Sequence, residues 1–599
     1  MPTSIDSIGS GNWATDGVWS SSVARAGDTN DVIIKDGHNV TISQDERAHS
    51  IHIEDGGTLT ITGTRLLTIV GKDGSSYSLR TVSGSTISGT LNVKVEANGG
   101  YIREQGTGGI NDLEVDLGSS SDIHYLDTDL SIAGNLTITE GIFNTNASSD
   151  RTLTVTGALD VASNGGLNCN SSAVQCNGLR TTGGTVNLPD ASGSFTIKGT
   201  EFSGYGIYDR AGSGNIVHNS GTVTWDTGGT STMYALSTFN NVTTTTSSTT
   251  LRWFSAFTLV GNMTIAENTT VHEHASAGGN FTVGGNVIVN GTLGDSDAYS
   301  TYDFGTLIIA STGTYNATDA TTKVSKETDV GGTDFMLHNN GGTFNHNDGK
   351  VLFDDAGLSS VSNVRNPSSF HDVELTMGSY SLTSHHNMTA TGDFTVTSGS
   401  YSDGSNGFHV DGATLISNGG AINLSNSTTQ TKTMATCKVE SGGTLKACRG
   451  TTVFDGDGRG HSGYPSALEV QSGGTFNNNL GTCKFTHTND QDIEMDGTGN
   501  FYNLHLEKSN NDAVMHANII IENNLTVDLA ADHTLRPAST TNTMTVRGTT
   551  LLKEGKIGAI TAYDGTNNWG NLVIKSGTFI LGSGTNNVTS IRNKGGTIS

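Results

Sequence analysis

A register kept over most of its length governs how this chain can fold. An aromatic or apolar anchor, followed by Asn or Asp and alternating apolar residues, stands at Ile110, Phe239, Phe370 and Phe501, with a shortened copy at Trp569. A second element, clearest as Asn-Leu-Thr-Val at 524–527, begins at Asn135, Asn262, Asp393 and Asn524, at a near-constant distance after each anchor. Gly-Gly-Thr-Phe-Asn at 341–345 returns at 473–477, in step with the same shift from Phe370 to Phe501 and from Asp393 to Asn524. Self-similarity at so long and steady a period marks a solenoid or array, in which each unit buries its apolar edge only by stacking on the next.

Within the copies the chemistry is that of strands. Apolar and polar residues alternate in Thr58-Leu59-Thr60-Ile61, Leu153-Thr154-Val155 and Met544-Thr545-Val546, so each segment has one face to bury. That alternation excludes disorder, which 33% apolar content with 80 Gly would otherwise allow. Gly and Asn supply left-handed corners, and Thr, Val and Ile suit a pleated surface, so the composition means many short strands and many turns. Gly-Thr-apolar triplets, at 184–186, 221–223, 291–293, 443–445 and elsewhere, place a corner glycine directly before a strand. The expected fold is therefore all-β, a single-stranded parallel β-helix. At roughly 20 to 25 residues per coil the chain makes about 25 coils, about 120 Å long at the strand spacing of about 4.8 Å. The expected core includes Leu113, Val115, Leu136, Ile138, Leu504 and Leu506, and the Asn or Asp beside each anchor (Asn111, Asn241, Asp372, Asn503, Asn571) suits an amide that bonds backbone one coil away.

Charge and cysteine usage exclude several functions. Lys and Arg number 31 against 57 Asp and Glu, a net charge of −26, which opposes binding to nucleic acid or an anionic membrane. Five cysteines, Cys169, Cys176, Cys437, Cys448 and Cys483, are too few for a disulfide framework and lack zinc spacing; pairing within 169/176 or 437/448 stays open. The start, Met-Pro-Thr-Ser-Ile, has no basic segment and no apolar run, so no secretory leader is expected, and no later stretch is apolar enough for membrane insertion. The expected product is made in the cytoplasm and leaves by lysis or by a route without a cleaved leader.

Residues 1–70 differ from the remainder and read as an N-terminal cap, with the β-helix over 71–599. Gly11-Asn12-Trp13 and Gly17-Val18-Trp19 precede Gly27-Asp28, Asp31-Val32-Ile33-Ile34 and Gly37-His38-Asn39-Val40-Thr41-Ile42. Trp13 and Trp19 are large enough to plug the open end of a stacked core, which would otherwise offer ladder edges to other chains. This series resembles the domain named for its eight glycines, which opens many β-helical surface proteins and many structural proteins of marine bacteriophages. The order Gly-Thr-Phe-Asn, Gly-x-x-x-Phe, aromatic-Asn-Leu over residues 110–595 is similar to repeats of large bacterial and viral surface proteins taken to be parallel β-helices. The last residues, Gly595-Gly596-Thr597-Ile598-Ser599, read as the beginning of a coil that another subunit or protein would cover, or as the point where a longer sequence has been cut.

Chemistry has few footholds. Phe454-Asp455-Gly456-Asp457-Gly458-Arg459-Gly460-His461 offers two carboxylates among glycines, so Asp455 and Asp457 are the candidates for glycan hydrolysis or a Ca²⁺ ligand pair. An exposed acidic turn accounts for them better, because the other calcium ligands and the closing Glu are missing, and no cofactor is expected. Asp354 with Asp355 and Glu494 with Asp496 are lesser pairs, and His272 with His274 and His385 with His386 lack a third metal ligand. No nucleophile elbow, phosphate loop or metalloprotease motif is present. The expectation is a non-enzymatic structural and adhesive protein of a phage virion, a fibre, spike or capsid-bound appendage, partnered by other virion proteins or itself. Its Thr, Ser, Asn and aromatic surface would touch cell-surface glycan weakly and multivalently. A bacterial extracellular adhesin and a polysaccharide-depolymerising tailspike are the alternatives.

Overall fold

The computed structural model describes residues 2–15, 17–20, 25–145, 148–209, 215–247, 249–275, 279–294, 300–354, 361–456, 466–486, 491–507, 512–558, 565–582 and 584–599. Among these there is no α-helix, and the protein is an all-β parallel β-helix. It divides into two compact units, Met1–Asp295 and Ser296–Ser599.

In the first unit each coil adds a strand to three parallel ladders. One runs through Tyr77–Thr81, Tyr101–Arg103 and Ile123–Leu126. A second passes from Ile110–Asp116 to Leu136–Asn144 and Leu153–Asn168, and a third from Leu130–Ile132 through Leu153–Asn168 to Ala173–Thr181 and Ser194–Ile197. Register fixes the coil length: Leu113 pairs with Leu136 and Leu136 with Leu159, an equal step each time. The second unit repeats the pattern, with Leu504 paired to Leu525. Coils are less uniform than the sequence expectation, from the short step between Leu159 and Leu179 to the long one between Cys437 and Leu468. The additional residues lie between ladder strands, where a loop grows without disturbing register. Thr328–Asp329 with Asp334–Asn339 forms an antiparallel excursion.

Inward residues recur once per coil and stack, which is why the alternation is so regular. Leu113, Val115, Leu136, Ile138, Leu504 and Leu506 are all buried. Trp13 and Trp19 are buried edge to face, 5.0 Å between ring centroids, and Trp19 Nε1 donates to Trp13 O at 2.8 Å. Residues 30–69, within the segment read as a cap, already form ladder strands: Asn30–Ile34 pairs with Ser50–Ile53, and Asn39–Ile42 with Thr58–Ile69. In the second unit Ile591 and Ile598 remain 55% and 39% exposed.

The long repeat is explained by three packing devices. The phenylalanine of each Gly-Thr-Phe-Asn copy packs on the next anchor, Phe344 on Phe370 at 5.2 Å and Phe476 on Phe501 at 5.5 Å. Phe353 and Phe485, from Gly-x-x-x-Phe, meet the same anchors edge-on at 6.3 Å. The glycines opening that motif, and Gly221 at the same place ahead of Trp225, admit no side chain: a Cβ on Gly221, Gly349 or Gly481 would lie 2.1, 1.9 or 2.0 Å from a carbonyl oxygen one coil away. Preceding those glycines are left-handed pairs, Asn219-Ser220, Asn347-Asp348 and Asn479-Leu480. The asparagine of each pair donates to a carbonyl of the neighbouring coil, Leu188, Ala317 and Ala447.

Candidate ligand-binding surface

The recurring polar positions of the repeat are occupied with the backbone. Asn262 N donates to Asn241 Oδ1 at 2.8 Å, Asp393 N to Asp372 Oδ1 at 2.7 Å and Asn524 N to Asn503 Oδ1 at 3.3 Å. The same role repeats one coil further: Asn286 N donates to Asn262 Oδ1, Ala413 N to Asp393 Oδ1 and Thr549 N to Asn524 Oδ1. In the first copy the relay starts at Asp112, not Asn111, because Asn135 N donates to Asp112 Oδ1 at 2.7 Å. Anchors Ile110, Phe239, Phe370, Phe501 and Trp569 are buried. These side chains satisfy backbone N–H groups of the neighbouring coil, and their placement leaves ligand contact to other residues.

What faces outward is more informative. On one ladder of the first unit, Tyr208 pairs with Tyr234 in register. The coil that follows sets Phe254 beside Tyr234, and the next sets His274 beside Phe254. Centroids are 6.0 Å for Tyr208–Tyr234, 5.3 Å for Tyr234–Phe254 and 5.0 Å for Phe254–His274, with Tyr205 4.9 Å from Tyr208. Interplanar angles of 57°, 49°, 32° and 56° tilt these half-buried rings, so their faces are not fully covered by one another. His272 lies outward beside the row, where Arg252 Nε donates to its Nε2 at 3.2 Å. At the end of the column Arg180, paired with Tyr208 in register, forms an ion pair with Asp160.

A second row, Tyr77, Tyr101 and Tyr125, stacks on another ladder with centroids 6.1 and 5.2 Å apart. Tyr101 and Tyr125 lie only 24° from parallel, so they cover one another's faces and present edges and hydroxyls. Arg103 stands 4.7 Å from the Tyr77 ring centre and is ion-paired with Asp127, which also accepts from Tyr77 Oη at 3.1 Å.

Directly after Arg103 the chain enters a groove of about 650 Å³ built from corners of successive coils. Gly106 and Gly108 form part of its wall, and a Cβ on Gly108 would lie 1.7 Å from Ile87 O, so the wall must be bare backbone. Glu104 and Asp129 face this space from adjacent coils. Asp129 Oδ1 accepts from Thr152 N at 2.8 Å, whereas the Glu104 carboxyl has no hydrogen-bond or ion-pair partner among the described residues. Burial without compensation pushes the Glu104 carboxyl up to about 7.

The sequence candidates for chemistry fare differently. Asp455 is exposed on the turn after Thr451–Phe454, and Asp457 lies outside the described residues, as does Asp355. Asp354 is ion-paired with Lys323 at 2.8 Å. The Glu494 carboxyl is held above its usual range by burial and by Glu469 and Asp496. His385 and His386 are exposed. Among the described residues one group has metal-ligand spacing, His505, Glu507 and Asp528, but Lys484 and Lys553 each approach its carboxylates at 3.0 Å and already balance their charge. All five cysteines are buried free thiols, and burial raises their thiol pKa values.

The row Tyr77, Tyr101 and Tyr125 keeps an equal step in sequence, whereas Tyr208, Tyr234, Phe254 and His274 are unevenly spaced and become neighbours only through ladder register. No known protein-family model matches the chain, and no curated protein matches it significantly.

Proposed function

We propose that the chain is a structural and adhesive protein of a phage virion, a fibre, spike or capsid-bound appendage, that holds cell-surface glycan on its outward aromatic row. The observation that carries the adhesive part is the row Tyr205, Tyr208, Tyr234, Phe254 and His274. A phenylalanine between a tyrosine and a histidine on the outer face of a ladder adds little to the core and much to a partner surface. Tilted rings offer C–H contact to sugar faces, phenol edges offer hydrogen bonds, and repetition along the ladder suits a polymer of repeating units. The acidic surface disfavours nucleic acid and anionic membrane as partners. Support for the virion setting comes from the likeness of residues 1–65 to phage structural proteins.

The double variant Tyr234→Ala/Phe254→Ala tests the adhesive part, because both side chains point outward and their loss leaves the ladders intact. Immobilised capsule or lipopolysaccharide of the host should bind the variant roughly tenfold or more weakly, from about 0.5–1.5 kcal/mol per ring contact. Unchanged binding would refute it. Immunodetection in purified particles of the source tests the setting, and absence there would move the chain to a bacterial surface adhesin.

A further inference from the structure

Glu104 differs from the ion-paired carboxylates of the first unit, where Asp127 is held by Arg103 and Asp116 by Lys94 at 2.6 Å. Glu104 is instead folded into a groove with no partner for its oxygens among the described residues, and a Cβ on Gly109 would come within 3.1 Å of its Oε1. A solenoid corner has no need of such a residue, since any short polar side chain would leave this backbone as it is. Its amide is already served, donating to Thr128 Oγ1 at 2.9 Å. The half-buried carboxyl is therefore free to meet a ligand in the groove.

We propose that this groove is a binding subsite for an uncharged, hydroxyl-rich oligosaccharide, with the Glu104 carboxyl as its central ligand-facing group. The lining decides the class. Thr90, Ser131, Thr152 and Thr154 bring hydroxyls, Glu104 and Asp129 bring carboxyls, and the exposed Ala133 leaves a small apolar patch for a C–H face. Among the described residues no Lys or Arg lines it, so an anionic ligand would meet two acids without a counter-charge. A divalent cation is poorly served, because Asp129 is committed to Thr152 N and Glu104 is half-protonated near neutrality. From Gly89 to Thr152 the lining crosses corners of consecutive coils, about 14 Å at the strand spacing, room for a few sugar rings. The subsite directly follows the Tyr101–Arg103 strand, so it rests on the glycan-binding reading, although it uses different residues from the Tyr234–Phe254 row.

Protonation of Glu104 sets a pH dependence. Among the described residues the charged groups around it are Asp129 on the next coil and its chain neighbour Arg103, the latter engaged by Asp127; the coil below contributes Ser85, Ile87, Gly89 and Thr90, none of them titratable near neutrality. Below neutrality the carboxyl is a hydrogen-bond donor and acceptor. Above it the carboxylate must stay desolvated under a bound ligand, which weakens binding.

The test is calorimetric titration of the full chain with short neutral oligosaccharides (gluco-, manno- and galacto-series) and with oligogalacturonate, at pH 5.5 and pH 8.5. Expected are binding of at least one neutral series, at least tenfold weaker binding of oligogalacturonate, and severalfold weaker neutral binding at pH 8.5. Glu104→Gln should bind and lose the pH dependence, and Ser131→Phe, at an exposed ladder position, should block the groove. Tyr234→Ala/Phe254→Ala should leave these short ligands unaffected, so loss of polymer adhesion and loss of groove binding report on different claims. The inference is overturned if no neutral probe binds at either pH, if Glu104→Gln keeps the wild-type pH profile, or if Ser131→Phe binds as the wild type does.

Discussion

Lys432 points into the core of the second unit, in strand Thr431–Val439, at a position where the alternation calls for an apolar side chain. Its side chain is 0% exposed, and its Nζ lies 2.6 Å from Oδ2 of Asp403, itself 2% exposed. Asp403 also accepts from Ser405 N at 3.2 Å and Ser425 N at 3.1 Å, and Lys432 Nζ also donates to Asn406 O. The pair is thus desolvated and fully engaged. Replacing Lys432 by Met, of similar length, removes the cation and leaves a buried carboxylate with two backbone donors, which costs about 3–5 kcal/mol. Asp403→Asn/Lys432→Met should recover most of that loss, because a neutral amide oxygen still accepts from one of the backbone N–H groups and no charge is stranded. Unfolding of a stacked array need not be two-state, so the suitable readout is hydrogen exchange in peptides covering 403–454. A loss of about 3 kcal/mol corresponds to exchange faster by roughly a hundredfold. Exchange in Lys432→Met within tenfold of wild type would refute the premise that this pair is both buried and mutually dependent.

Two further outcomes follow from named residues. Glu104 titrates near 4.5 in an unfolded chain and at about 7 in the fold, so the penalty of ionising it is absent below about pH 4.5 and complete above about pH 7. The folded groove therefore loses stability as pH rises through that window, by about 2 kcal/mol after allowance for solvent in the groove, and Glu104→Gln should match wild type at pH 4 and exceed it at pH 8.5 in exchange protection of 100–132; equal protection at both pH values would sink this. Leu480 holds φ at 59° while 56% exposed, and the corresponding residue one repeat earlier is Asp348 at 57°. Leu480→Asp should therefore stabilise the second unit by about 1 kcal/mol, seen as a higher melting temperature, and an unchanged or lower one would show the corner carries no strain.

Much of the fold is legible in the sequence, and the reason lies in what a coil must repeat. Inward residues face the same interior every turn, so Leu113, Leu136 and Leu504 recur with the strand period, and Gly349 and Gly481 recur because a carbonyl one coil away fills the space a side chain would need. The Asn and Asp relay is readable for the same reason, except in the first copy, where Asn111 and Asp112 stand side by side and only the backbone geometry selects Asp112, and in the shortened last copy, where Asn571 Oδ1 accepts from the Ser590 hydroxyl instead of a backbone N–H.

Outward residues carry no such obligation. Coil length varies, as the steps from Leu159 to Leu179 and from Cys437 to Leu468 show, so Tyr208, Tyr234 and Phe254 have no constant spacing, and nothing along the chain shows that they become one row. Glu104 looks like any surface acid until the corners of adjacent coils enclose it, and Lys432 like any exposed lysine until its strand register turns it inward. That the chain coils, and which side chains fill the coils, can be read from its residues, because burial is enforced at every turn. Which polar and aromatic groups share a face emerges on folding, because stacking brings together residues whose separation along the chain is set by loops of arbitrary length.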